Sequence, residues 1–66
     1  MYMVVDTISR NILGQCDTLP QAKSLFLELV AYHPQAATEI VILSESGARQ
    51  DVSREEVVDA LAAAAG

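Results

Sequence analysis

The chain has little of what small domains commonly use as staples. One cysteine, Cys16, in 66 residues has no partner for an internal disulfide. With a single histidine, His33, there is no set of four nitrogen or sulfur ligands for a structural zinc ion. Tryptophan is absent, phenylalanine occurs once, and four basic residues stand against nine acidic ones, for a formal net charge of −5. That balance opposes a polyanion, so nucleic-acid binding is not expected. The three glycines are scattered and form no phosphate-cradling or dinucleotide pattern. No apolar run reaches membrane-spanning length and no signal-peptide pattern occurs, so the expectation is a cytoplasmic protein with a reduced thiol and no membrane association. Cys16 and His33 flank opposite ends of the one long helix described next, about 20 Å apart at the usual helical rise, too far for a nucleophile and its base to meet. No catalytic, cofactor-binding or metal site is therefore expected, and the chain does not read as an enzyme.

What is present centres on Asp17 to His33. Thr18 is a good N-cap, and Gln21 three residues later completes a capping box. Pro20 falls in the first turn, where its missing N–H costs nothing, and Asp17 sits near the positive end of the helix dipole. Pro34 disfavours helical geometry at His33, so the helix should end at about Tyr32. At 100° per residue, Leu19, Ala22, Leu25, Phe26, Leu29, Val30 and His33 share the apolar face. Lys23, Ser24, Glu28 and Ala31 lie opposite. Leu27 is out of place beside Lys23 on the flank expected to face water; it is either an ordinary exposed leucine or a contact residue.

Before this helix, Tyr2 to Thr7 and Ile12 to Cys16 read as two short strands of a hairpin, broken by the polar Ser9, Arg10 and Asn11. Asn11 is the expected left-handed residue of the turn, and Gly14 marks a bulge or a close approach by another part of the chain. After it, residues 33 to 38 read as a linker. Glu39 to Ser44 contains four consecutive large aliphatics, the pattern of a strand apolar on both faces. Gly47 lies in a polar turn, and Ala48 to Val52 can return as a fourth, edge strand. Ser53 and Glu56 form a second capping box, with Val52 and Val57 as a hydrophobic staple. The stripe of the helix that follows is Val57, Val58, Leu61 and Ala64 or Ala65, narrow enough to dock weakly and to fray past Ala62. The fold class is thus α+β: one domain over residues 1 to 66 in ββαβα order, with a three- or four-stranded, mostly antiparallel sheet and both helices on one face.

Of the chain's residues 52% are apolar, but ten are alanines, which bury little area each. A core this small is marginal alone, and with no disulfide or metal available, association with another chain is the remaining staple. The sheet points the same way, because its second apolar face has no helix left to cover it. Met3, Val5, Leu13 and alternate members of Ile40 to Leu43 would line that face. Alternation does not say which pair points outward; Val41 and Leu43, together with Leu27 of the helix, complete the candidate contact set. The expected function is a non-catalytic protein–protein interaction module, homodimeric or bound to a partner protein. A small-molecule site at the helix N-terminus near Asp17 and Thr18 is the competing expectation, and it requires a pocket with converging polar groups there.

Two resemblances bear on this. Val4-Val5-Asp6, Asn11-Ile12-Leu13-Gly14, Asp17-Thr18 and Ala22 resemble the strand, turn and helix pattern of a group of short bacterial proteins common in actinobacteria, which implies a ββαβ fold and no particular activity. Asp17, Thr18 and Ala22 are also similar to the Asp-Thr-x-x-Glu-Ala signature of HicB-type antitoxins. Gln21 stands in place of the acid, and neither the Pro-x-x-Gly-Cys segment nor a DNA-binding tail is present. That likeness implies a small acidic protein neutralising a basic toxin.

Overall fold

A computed structural model describes residues 1 to 65, with the side chain of Ala65 outside the description. The hairpin strands are β1 (Tyr2–Asp6) and β2 (Asn11–Cys16). They are followed by α1 (Leu19–Tyr32), a short helix α2 (Ala36–Glu39), β3 (Ile40–Ser44), β4 (Arg49–Gln50) and α3 (Arg54–Ala65). The four strands form one sheet in the order β2-β1-β3-β4, antiparallel throughout. The α+β class, the fourth strand at the edge and the placement of the main helices agree with expectation.

Helix α1 begins as its residues dictate. The Thr18 hydroxyl accepts from the Gln21 backbone N–H at 3.3 Å, and the Gln21 side-chain oxygen accepts from the Thr18 N–H at 3.2 Å. It ends at Tyr32 with His33 as C-cap, whose backbone N–H donates to the Leu29 carbonyl. Ala22, Phe26 and Val30 are buried, with Leu19, Leu25 and Leu29 half-buried beside them. Against this face lie Val4 and Ile42, both essentially without exposure. Fully burying side chains of that size is worth about 1.5–3 kcal/mol each, so the contact between α1 and the two central strands dominates the core.

The linker expected at residues 33 to 38 is in part helical. Ala36 is buried and Ala37 half-buried, and carbonyls of His33, Pro34 and Gln35 accept from Ala36, Ala37 and Thr38. Two small residues in sequence let the backbone turn tightly against the core, where larger ones would hold it away.

Helix α3 lies along α1. Its cap differs in detail from the expected box: the Ser53 hydroxyl accepts from the Glu56 N–H at 3.1 Å and bonds the Glu56 carboxylate at 3.0 Å, so the acid reaches the cap's side chain, not its N–H. Val57 and Leu61 pack on the core and Val52 joins them, but Val58 is 53% exposed and does not belong to the buried stripe. The helix continues through Ala65, past the expected fraying point at Ala62. Leu27 is half-buried and packs against the core. The flank it shares with Lys23 is where α3 rests, as the 3.9 Å approach of Lys23 Nζ to Glu56 Oε1 shows. A single-helix wheel leaves Leu27 in water; the second helix covers it.

Candidate interaction surface

Strand register decides which residues share each face, because facing residues of paired strands point the same way. Val4 pairs with Ile42 and Gly14, and Tyr2 pairs with Ser44 and Cys16. These belong to the inner, helix-covered face, where Tyr2 and Cys16 pack on the core. The outer face then carries Met3 beside Leu43 and Gln15, Val5 beside Val41 and Ile12, and Arg49 beside Leu43. Met3, Val5, Val41 and Leu43 are half-buried and none belongs to the buried core, and Ile12 is 55% exposed. All helices that touch the sheet or each other lie on the inner side, and the molecule measures only 16 Å in its thinnest direction. That is the depth of two layers with nothing on the far side.

Leu13 is not part of this patch. The register slips between Val4 and Val5, so that Val4 faces Gly14 while Val5 faces Ile12, and Leu13 is the extra residue of a β-bulge. In an unbroken ladder Leu13 would face Val5 on the outer side. The bulge turns it inward, where it borders a depression with Leu29, His33 and Ile40, and brings Ile12 out in its place. Gly14 also leaves room for the helix: a Cβ at this position would lie 2.5 Å from Leu25 Cδ2, so the leucine side chain would have to shift. Leu27, also in the expected contact set, lies under α3. The structure therefore groups Met3, Val5, Val41 and Leu43, separates Leu13 and Leu27 from them, and adds Ile12, whose signal in the sequence was the bulge-forming glycine two residues on.

The electrostatics of the outer face are sparse. Arg49 is its one charged member in the strands, at 3.8 Å from the Asp51 carboxylate, and the N-terminal ammonium meets Glu45 at 3.7 Å at one end. Both pairs are exposed and are worth little in energy. The acidic excess sits elsewhere, on Asp17, Glu28, Glu39, Glu55, Glu56 and Asp59 among others.

Three depressions lie among the described helices and strands. One of about 260 Å³ is bordered by Asp6, Leu13, Leu29, His33 and Glu39; one of about 90 Å³ lies between β4 and α3; and one of about 430 Å³ is bordered, among the described residues, by Ala31, Tyr32 and Ala64. None of these three reaches Asp17 or Thr18, and the Thr18 hydroxyl is already committed to the helix cap. The Asp6 carboxylate is held below the usual carboxylate range chiefly by the Ile8 backbone N–H, which donates to it at 2.8 Å, assisted by Ser9. This bond shapes the hairpin turn, in which Arg10, not the expected Asn11, takes the left-handed conformation with φ 62°. No group of three or more metal-ligating side chains occurs among the described residues, and no helix is long and apolar enough to cross a membrane. No protein-family model matches the chain, and neither a curated protein nor a solved structure matches it.

Proposed function

We propose that this domain is a non-catalytic protein–protein interaction module whose outer sheet face lies against another protein chain. One observation carries the reading: Met3, Val5, Ile12, Val41 and Leu43 form a contiguous apolar patch on a sheet whose helices all sit on the opposite side. The three strands that carry it, about 4.8 Å apart and about five residues long, give a flat area of roughly 240 Å². With Ile12 exposed and the other four half-buried, that is at the lower end of the apolar patches that mark contact sites. It is also smaller than the roughly 800 Å² per partner of a standard interface, so a partner seated here also engages the margin around Gln15 and Arg49.

An antitoxin-like role is the second reading, supported by the net charge of −5 and by the concentration of acid on the helical side, with Glu55, Glu56 and Asp59 on α3 and Glu28 on α1. A basic partner would be drawn there and not to the nearly neutral sheet face.

A photo-reactive residue placed at Val5, and separately at Val58 of α3 as an apolar and more exposed control, tests the first reading in living cells. Cross-linked adducts are expected from position 5 and not from position 58. Adducts from position 58 alone would move the interface to the acidic helices and favour the second reading, and silence at both would remove the proposal.

A further inference from the structure

The two edges of the sheet differ. Edge β4 is two residues long, begins with the exposed Arg49 and is followed by the exposed Asp51. Edge β2 is six residues long, Asn11 to Cys16, with no charge and no proline. Its outward backbone groups have no neighbouring strand. Short length, charge and proline are the usual protections of an edge against pairing with another chain. β4 has two of these and β2 has none.

A bulge is the remaining protection, and here it sets which partner fits. We propose that β2 pairs antiparallel with β2 of a second copy of this chain, about a two-fold axis that passes between Leu13 and Gly14. Such an axis stands perpendicular to the sheet, so residues facing each other across the seam must share a face. In a regular strand an axis between two residues breaks this rule, because neighbours point to opposite faces. The bulge restores it, since Leu13 and Gly14 both point inward. Asn11 then faces Cys16 of the second copy on the inner side, Ile12 faces Gln15 on the outer side, and Leu13 faces Gly14, whose missing side chain leaves room for it.

The charges agree with this register. Arg10 and Asp17, one residue beyond each end of β2, fall opposite one another twice, as a cation and an anion. Both are exposed, and neither is in an ion pair among the described residues. A strand with a positive and a negative end is complementary to its own antiparallel copy, which a basic partner chain would not match at Arg10. Pairing also covers Leu13, which is 42% exposed in the single chain. This inference goes beyond the sheet-face reading: it uses the edge, leaves the face open, and places the two outer patches side by side with Ile12 of each copy at the seam.

The test uses the native thiol. Facing residues in an antiparallel pair have Cα atoms about 4.5–5.5 Å apart, within the span a disulfide bridges. Within one chain Asn11 and Cys16 are the two ends of β2, roughly 16 Å apart, so an internal bridge cannot form. The full chain carrying Asn11→Cys, mildly oxidised, is expected to give a covalent dimer with the introduced thiol joined to Cys16 of the second copy. Its rate should be at least about tenfold that of a Glu45→Cys control, which has an exposed thiol at the far end of the sheet. Peptide mapping identifies the bridge. Sedimentation equilibrium of the unmodified chain up to about 1 mM gives a second readout in which nothing can misfold, and a concentration-dependent dimer is expected. Cross-linking no faster than the control, or bridges only between two Cys16 thiols, would overturn the proposal, as would a monomer at every concentration. In those cases adducts from Val5 would leave the sheet-face reading intact.

Discussion

The two faces of the sheet are made of nearly the same material. Ile40 and Ile42 with Val4 and Tyr2 line one, and Val41 and Leu43 with Val5 and Met3 line the other. The first face is closed by Phe26, Val30 and Ala22 of α1; the second faces away from every helix. Nothing within β3 distinguishes its alternate residues, so burial is decided by where the chain goes next. The β1–β2 hairpin leads into α1 on one side, and both later helices stay on that side. The described residues supply one layer of helix, so an apolar strand residue is a core residue or an outer-face residue according to its parity.

The sharpest way to break that comparison is a pair of truncations at neighbouring positions. Ile42→Ala removes a side chain only 1% exposed and should cost about 2–5 kcal/mol. For a domain of this size that approaches the whole stability. Leu43→Ala, one residue on, should cost under about 1 kcal/mol in dilute solution, where no second chain lies over it. Urea unfolding of the two variants checks the contrast, and equal losses would mean that the outer face is packed in the isolated chain.

A smaller effect is expected at the bulge. Gly14→Ala drives a methyl group into Leu25 Cδ2. Overpacking costs up to about 1–3 kcal/mol, towards the lower end here because the Leu25 side chain is half-buried and can shift, and Gly14→Ala combined with Leu25→Ala should recover part of it. A double variant no better than the sum of the two singles would show that the glycine is needed for its backbone and not for the space.

The smallest effect concerns Asp6, at the end of β1. Its carboxyl group titrates lower in the folded chain than its ordinary value of 3.8, because the turn N–H groups of Ile8 and Ser9 favour the anion. The stabilisation is therefore present above about pH 4 and is lost as pH falls through the folded value. Wild type should be more stable than Asp6→Asn at pH 7, with the difference shrinking below pH 4; thermal melts across that range give the measurement, and a gap that stays constant with pH would contradict it.

Much of this architecture is legible in the residues because its determinants are local. Thr18 with Gln21, Ser53 with Glu56, Pro20 and Pro34 bound the helices through hydrogen bonds and sterics that act over a few residues. The doubly apolar β3 and the bulge at Gly14 are visible in the same way. What is not legible is relational. Leu27 and Val58 exchange their expected environments because the angle at which α3 meets α1 is a property of two helices together. Leu13 and Ile12 exchange faces because one extra residue reverses the parity of everything before it in β2. A glycine inside a strand signals a bulge or a close approach, but its consequence for the preceding residues follows only from the ladder's register. Arg10 occupies the left-handed position because Asp6 draws the turn's N–H groups to itself and so displaces the kink one residue ahead of Asn11.

The position of β1 between β2 and β3 has a consequence for synthesis. As the chain emerges, the hairpin and α1 can form from local contacts, but the other edge of β1 waits for Ile40–Ser44. Until Ser44 has been made, the centre of the eventual sheet is an open border, with Val4 only half enclosed. At a synthesis rate of roughly 5–20 residues per second that interval lasts on the order of seconds, long compared with hairpin closure in microseconds. The nascent chain is then most exposed to mispairing at the strand that will end up the most protected.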